Sequence, residues 1–303
     1  SFAALGNPID LTPQCPIDHY VPAIEAIYAD PAVEGVVAIN CGLDLKPFGT
    51  GVARGVAATG NGGRVVASLL GIPFVNEVVA QAAATARLHP QVRTVIEIGG
   101  EDSKLVIMKD VTAAGAGADV PDAPGGVADF AMNTMCAAGT GSFLDQQATR
   151  LGLTIEDFGA LAVTSETPPR VAGRCSVFAK SDMIHLQQKA TPVKDIVAGL
   201  CYALVRNFKS TVGSATRIQP PVSFQGGVAA NAGIVKALRE VLELSETELV
   251  IPEHFGCMGA IGAVYAAFPD SSEPACAPVN WSRLSDLAQY SHLGQKLPLK
   301  PLK

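Results

Sequence analysis

The sequence predicts an α/β fold built on mixed sheets. Short apolar runs of strand length alternate with longer segments of helical period, which is typical of α/β layers. Glycine is abundant and aromatic residues make up only 6% of the chain, which suits close packing and tight turns near a ligand. A length of 303 residues suggests two domains or one large domain.

The early elements follow from local patterns. A short helix is predicted near residues 22–29 and a buried strand at 35–40. A glycine turn at 59–64 opens a helix at 65–72, and an alanine-rich helix follows at 76–88. Strands are predicted at 94–98 and 104–108, joined through glycines, with loops at 112–127 and 133–141.

The later elements are more regular. A helix at 142–151 precedes an amphipathic helix at 192–208, for which Thr191 is the predicted N-cap and Pro192 the first helical residue. A strand at 222–225, a glycine turn, an amphipathic helix, a strand at 249–251 and an alanine-rich helix at 258–268 complete the pattern.

Composition excludes several classes of protein. A net charge of −6 leaves no basic surface for nucleic acid, and no stretch reaches the roughly 20 apolar residues that span a bilayer. The seven cysteines are odd in number, widely spaced and without a CxxC pair, so reduced thiols are expected. We therefore expect a soluble, cytoplasmic protein with no nucleic-acid or membrane partner.

Four glycine-rich turns follow or flank strands, at 59–64, 99–102, 137–141 and 225–228. Backbone N–H groups in such turns can cradle phosphate oxygens. None of the four fits the dinucleotide or Walker patterns. A single turn of this kind is ordinary turn chemistry, but four in one α/β chain favour phosphate binding.

The most informative stretch is EIGGEDSK at 97–104. Glu97 and Asp102 are candidate catalytic residues, because a carboxylate can polarise a water molecule or hold Mg²⁺ through water. Lys104 is a candidate for neutralising phosphate charge. The alternative is a surface hairpin with solvated charges, which accounts less easily for Glu97 among apolar neighbours.

Cys136 and Cys175 each precede a predicted helix, where the helix dipole favours a thiolate. Each is either a metal ligand, a reactive group or a small buried residue. Two cysteines supply half of the four thiolates of a cubane cluster, and a symmetric dimer would supply the rest.

The motifs together resemble the ATP-dependent activators of 2-hydroxyacyl-CoA dehydratases, a family that includes benzoyl-CoA reductase ATPase subunits. IGGEDSK at 98–104 is similar to its second phosphate motif, NTMCAAGTGSFL at 133–144 to its cluster loop, and CSVFAKSD at 175–182 to its second cysteine motif. GGVAAN at 226–231 resembles its adenosine motif. The resemblance runs from about residue 59 to 268.

The resemblance implies an actin-like (ribonuclease H-like) ATPase fold of two related lobes. It implies a homodimer that holds one 4Fe–4S cluster through Cys136 and Cys175 of each chain, and ATP or ADP with Mg²⁺ between the lobes. ATP hydrolysis would drive a low-potential electron from a ferredoxin- or flavodoxin-type donor into a dehydratase or reductase of CoA thioesters. The residues expected to bind the nucleotide are Gly99, Gly100, Glu101, Ser103, Lys104, Gly139, Thr140, Gly141, Gly226, Gly227, Val228 and Asn231.

The resemblance also sets the expected domains, namely a partial first lobe at 1–92, a second lobe at 93–268 and a linker-like tail at 269–303. The family's first phosphate motif, Asp-x-Gly-Ser on an opening hairpin, is missing, so a fragment or a domain of a longer protein is expected. Two alternative functions remain open: a non-catalytic nucleotide-binding module and a small-molecule kinase of the same fold.

Overall fold

A computed structural model describes residues 57–60, 62–109, 126–133, 140–172, 176–213 and 218–268. The elements predicted at 22–29 and 35–40 and the tail at 269–303 lie outside these residues. The described residues divide into two compact units, one of 57–84 with 259–268 and one of 85–258. The predicted lobe boundary at residues 92 and 93 stays a prediction.

The larger unit is built on one mixed sheet of five strands. The strands are β1 (Thr94–Ile98), β2 (Ser103–Met108), β3 (Val127–Asn133), β4 (Val222–Gln225) and β5 (Leu249–Val250). Their order across the sheet is β3-β2-β1-β4-β5, in which β1 is antiparallel to β2 and parallel to β4. β1 and β4 therefore end side by side, with Glu97 paired to Gln225.

The central strands are buried along their whole length. Every residue of β1, β2 and β4 is buried, including the polar ones. Strands that are buried at every position are covered on both faces. No residue of the edge strand β3 is buried, and its Phe130 is 54% exposed.

Five helices accompany this sheet: α3 (Gly141–Leu151), α4 (Ile155–Val163), α5 (Ser176–Gln188), α6 (Val193–Thr211) and α7 (Ala232–Leu242). α6 is the central helix, with Ile196, Leu200 and Leu204 fully buried. These side chains share one core cluster with Ile96 of β1 and Phe224 of β4. The core thus fixes the ends of β1 and β4 with respect to the helices.

The smaller unit contains α1 (Gly63–Leu70), most of α2 (Glu77–Leu88) and nearly all of α8 (Met258–Ala267). Its core joins Ala57, Val75, Ala80 and Ala263. Small residues permit close helix contact here, since a Cβ on Gly262 would lie 1.7 Å from the carbonyl oxygen of Ala80.

The α/β prediction is confirmed, and β1 and β4 have the predicted bounds. β3 and α4 are absent from the prediction. The predicted start of α6 is wrong by one residue, because Pro192 has an extended ψ of 137° and is itself the N-cap residue. Thr191 therefore lies one residue before the cap.

Candidate functional site

Two glycine turns meet at the adjoining ends of β1 and β4. A Cβ on Gly226 would lie 2.4 Å from the carbonyl oxygen of Ile98 and 2.7 Å from Oε1 of Glu97. The backbone of Gly226 has φ 87° and ψ 166°, a region that is nearly restricted to glycine. The turn after β4 is therefore held directly against the end of β1, which requires glycine.

The outer residues of these turns present backbone donors. Gly100, Glu101 and Gly227 are exposed. Among the residues that the structure describes, no backbone carbonyl accepts a hydrogen bond from their N–H groups. Ligands of α/β sheets bind beyond the carboxyl ends of parallel strands, and phosphates bind to such N–H groups. The paired turns have the chemistry of a phosphate cradle.

A third turn contacts the first one. The N–H groups of Gly141 and Ser142 donate to the carbonyl oxygens of Gly99 at 2.8 Å and Gly100 at 2.9 Å. The Ser142 hydroxyl donates to the Gly100 oxygen at 2.5 Å. Thr140, predicted to bind the nucleotide, is fully buried before α3. Gly139, predicted with it, lies outside the described residues.

The third turn also contacts the second. A Cβ on Gly141 would lie 3.0 Å from Cγ2 of Val228 and 3.1 Å from the Gly99 oxygen. The third turn therefore lies beside the other two. These are the predicted turns at 99–102 and 225–228 and the described end of the predicted turn at 137–141. Sequence spacing gives no indication of this arrangement, since up to 128 residues separate them.

Charged side chains lie beneath the cradle. Lys104 Nζ lies 2.8 Å from Glu97 Oε2 and 2.8 Å from Asp102 Oδ1. Glu97 is 7% exposed and Lys104 is 3% exposed, so a surface hairpin with solvated charges is excluded for these two residues.

Two opposing effects act on the pKa of Lys104. Burial lowers the pKa of the ammonium, but the charge of Glu97 and the hydrogen bonds to Asp102 and Glu97 more than offset it. The net pKa of Lys104 is raised above its ordinary value, so the group stays protonated. A buried cation is thereby fixed between two carboxylates.

The other oxygen of Glu97 is directed towards the glycines. Oε1 lies 3.2 Å from a Cβ placed on Gly99 and 2.7 Å from one placed on Gly226. A carboxylate directly below a phosphate cradle can orient a water molecule or bind a hydrated cation. The catalytic roles predicted for Glu97 and Asp102 stay predictions.

Of the residues predicted to bind the nucleotide, one forms a hydrogen bond within the protein and another is fully buried. Asn231 is the N-cap of α7, and its Oδ1 accepts from the N–H of Ile234 at 3.1 Å. Ser103 is fully buried. Asn231 Nδ2 and Ser103 Oγ find no hydrogen-bond partner within the described part of the chain. Contact of either residue with a nucleotide stays a prediction.

Sequence reasoning missed the side chains that support the second turn. Gln225 Nε2 donates to the hydroxyls of Thr85 and Ser223, each at 2.8 Å. All three residues are fully buried, so this polar group stabilises the chain immediately before Gly226. A glutamine directly before a Gly-Gly pair is the sequence signal that was available.

The predicted cluster ligands Cys136 and Cys175 lie outside the described residues. The described chain resumes at Thr140 and Ser176 respectively. Cys201 is fully buried in α6 and burial raises the pKa of its thiol, which confirms it as a core residue. In the described ranges no group of three or more His, Cys, Asp or Glu side chains is arranged to hold a metal ion.

Comparison with solved structures identifies the class of protein. Component A of (R)-2-hydroxyglutaryl-CoA dehydratase from Acidaminococcus fermentans matches with a TM-score of 0.63 and 29% identity, over 73% of this chain and 78% of that one. The activator of 2-hydroxyisocaproyl-CoA dehydratase from Clostridium difficile, with bound ADPNP, has a TM-score of 0.61 and 27% identity, over 83% and 79%. The fold is that of the actin-like ATPases, as predicted.

Sequence comparison then gives the family. Residues 36–267 match the BadF/BadG/BcrA/BcrD ATPase family, and the chain belongs to it. The 2-hydroxyisocaproyl-CoA dehydratase activator of Clostridioides difficile is 33% identical over 66% of this chain and 68% of its own length. The predicted family is confirmed. None of the described helices has the length and apolar character needed to cross a membrane.

Proposed function

We propose that this protein is an ATP-dependent iron–sulfur activase. It hydrolyses ATP to drive one electron at low potential into a dehydratase or reductase of CoA thioesters. The observation that carries the ATPase part of the proposal is the meeting of two glycine turns above Glu97 in a member of an ATPase family. Its relatives include activators of CoA-thioester dehydratases, which supports the partner class.

The binding step uses the exposed backbone of the two turns. The N–H groups of Gly100, Glu101 and Gly227 donate to phosphate oxygens of ATP, and the glycines admit the phosphates close to the chain. Val228 and Asn231, in the motif that resembles an adenosine site, lie on the nucleoside side. The ADPNP bound to a relative of the same fold supports nucleotide binding by this protein.

The hydrolytic step uses the carboxylates below the turns. Glu97 orients the attacking water towards the terminal phosphate, with Oε1 as the accepting atom. Asp102 lies at the other side of the turn and would hold the Mg²⁺ that accompanies the nucleotide. Mg²⁺, when bound, neutralises the charge that develops on the phosphate oxygens.

The redox part of the proposal depends on Cys136 and Cys175, for which the sequence alone provides support. Four thiolates, two from each chain of a homodimer, are the ligand set of one 4Fe–4S cluster. Such a cluster, when bound, accepts one electron from a ferredoxin- or flavodoxin-type donor and passes it to the partner enzyme.

Anaerobic purification of the full-length protein tests the proposal. We expect a brown dimer with about two iron atoms per chain, as one shared four-iron cluster requires. Cys136→Ala should lose the iron, whereas Cys201→Ala, at a buried core thiol, should retain it. A colourless protein after anaerobic reconstitution, or equal iron in both variants, would contradict the proposal.

ATP turnover is tested separately from iron. We expect Glu97→Gln to reduce the rate of phosphate release by about 100-fold or more, the scale of a lost acid–base group. ADPNP binding should persist in this variant. Tight nucleotide binding without turnover in the wild-type protein would favour the non-catalytic alternative, and phosphoryl transfer to a sugar would favour the kinase.

A further inference from the structure

We infer that Lys104 is a positioning residue whose ammonium fixes Glu97 and Asp102 in place and fills the position between them that a divalent cation would otherwise take. The sequence predicts a different role for Lys104, as a phosphate ligand. The inference rests on the proposed ATPase function, because it concerns the same carboxylates.

The described side-chain contacts of Lys104 are with two carboxylates. Its Nζ has one carboxylate oxygen of Glu97 and one of Asp102 at 2.8 Å each. An ammonium has three donors, and two of them are engaged in these charge-assisted bonds. With 3% exposure, the side chain is not on the surface that a phosphate would approach.

The same contacts set the orientation of Glu97. Because Oε2 is bound to Lys104, Oε1 is the oxygen that faces Gly99 and Gly226. Rotation of the carboxylate would break a buried bond between opposite charges, which is unfavourable. Lys104 thus selects the orientation in which one oxygen of Glu97 points to the phosphate turns.

The ammonium also decides where a metal ion can bind. Two carboxylates that approach one point are ordinary oxygen ligands for Mg²⁺ or Mn²⁺. Here that point is occupied by a permanent cation of the protein itself. We therefore expect the protein without nucleotide to have no direct Mg²⁺ site between Glu97 and Asp102, since Lys104 Nζ lies 2.8 Å from an oxygen of each.

Three variants of the full-length protein test this assignment: Lys104→Met, Lys104→Arg and Lys104→Gln. Three quantities are measured: the Kd for ADPNP by calorimetry, kcat for ATP hydrolysis, and Mn²⁺ binding without nucleotide by electron paramagnetic resonance. We expect Lys104→Met to lower kcat by about 100-fold, as misplacement of a catalytic group does, and to change the Kd for ADPNP by less than about threefold.

The cation measurement is specific to the proposed role. We expect Lys104→Met to gain a Mn²⁺ site that the wild-type protein lacks, and Lys104→Arg, which keeps the charge, to gain none and to recover part of kcat. If Lys104→Met does not fold, Lys104→Gln, which keeps a donor, takes its place in each measurement.

A large rise in the Kd for ADPNP with kcat little changed would instead assign Lys104 to phosphate binding and overturn the inference. Absence of a new Mn²⁺ site in folded Lys104→Met and Lys104→Gln would overturn it as well. Failure of the wild-type protein to bind ADPNP would refute the proposed function. The Mn²⁺ measurement is made without nucleotide, so it would still test the role of Lys104 in that case.

Discussion

Replacement of Gly226 by alanine is the sharpest test of the second turn. The added Cβ would lie 2.4 Å from the carbonyl oxygen of Ile98 and 2.8 Å from its carbon, both backbone atoms that cannot rotate away. It would also lie 2.7 Å from Oε1 of Glu97. The substitution therefore forces the turn away from the end of β1.

Two costs determine the size of the effect. A side chain at φ 87° and ψ 166° costs on the order of 1–3 kcal/mol, since only glycine adopts that backbone readily. Overpacking against β1 costs about 1–3 kcal/mol more. The sum of roughly 2–6 kcal/mol is a large part of the roughly 5–15 kcal/mol that stabilises a typical domain.

The assay compares thermal unfolding and ADPNP affinity with a matched control. Gly227→Ala adds the same atom one residue later, where a Cβ meets nothing within 4 Å. We expect Gly226→Ala to lower Tm by at least about 4 °C and to abolish ADPNP binding. Gly227→Ala should change stability by less than about 0.5 kcal/mol. Equal Tm values for the two variants would refute the proposed packing of the turn.

Three further predictions concern other parts of the chain. Gly262→Ala should destabilise the smaller unit in thermal unfolding, because the added Cβ would clash with the backbone of Ala80. Gly259→Ala is the control, since its Cβ would contact only the flexible Gln81 side chain, and equal effects of the two substitutions would contradict this. Cys201 should resist thiol reagents until the protein unfolds, because burial raises its pKa and blocks access; labelling in the native state, detected by peptide mass spectrometry, would contradict this. Asn231→Ala should lower the free energy of unfolding in urea by about 1 kcal/mol, because the α7 cap is lost. Asn231→Ser, which can still cap the helix, should retain most of that stability, and equal losses in the two variants would argue against the cap.

The regular elements were predictable because burial and period leave clear patterns. β1 and β4 are short and fully buried, each is followed directly by a glycine, and their bounds follow from the sequence. β3 has no such pattern, since its edge position leaves Phe130 exposed and alternation weak. α4 was missed although Thr154 caps it through the N–H of Asp157, a local signal that the sequence contains.

The site was predictable in its parts but not in its arrangement. The glycine turns and Glu97 can be recognised in the sequence by their residue types and by their positions near predicted strand ends. Their proximity depends on the parallel pairing of β1 with β4, which no local pattern encodes. From the end of β1 to the start of β4 there are 123 intervening residues. The engagement of Lys104 by two carboxylates likewise depends on strand register, which places Glu97 opposite Lys104.

The central claim is that the two glycine turns bind the phosphates of ATP. A crystal structure of the full-length protein with ADPNP and Mg²⁺ tests it most directly. The account predicts phosphate oxygens about 2.7–3.2 Å from the backbone nitrogens of Gly100 and Gly227, with Glu97 Oε1 facing the terminal phosphate. ADPNP bound elsewhere, with both turns unliganded, would contradict it.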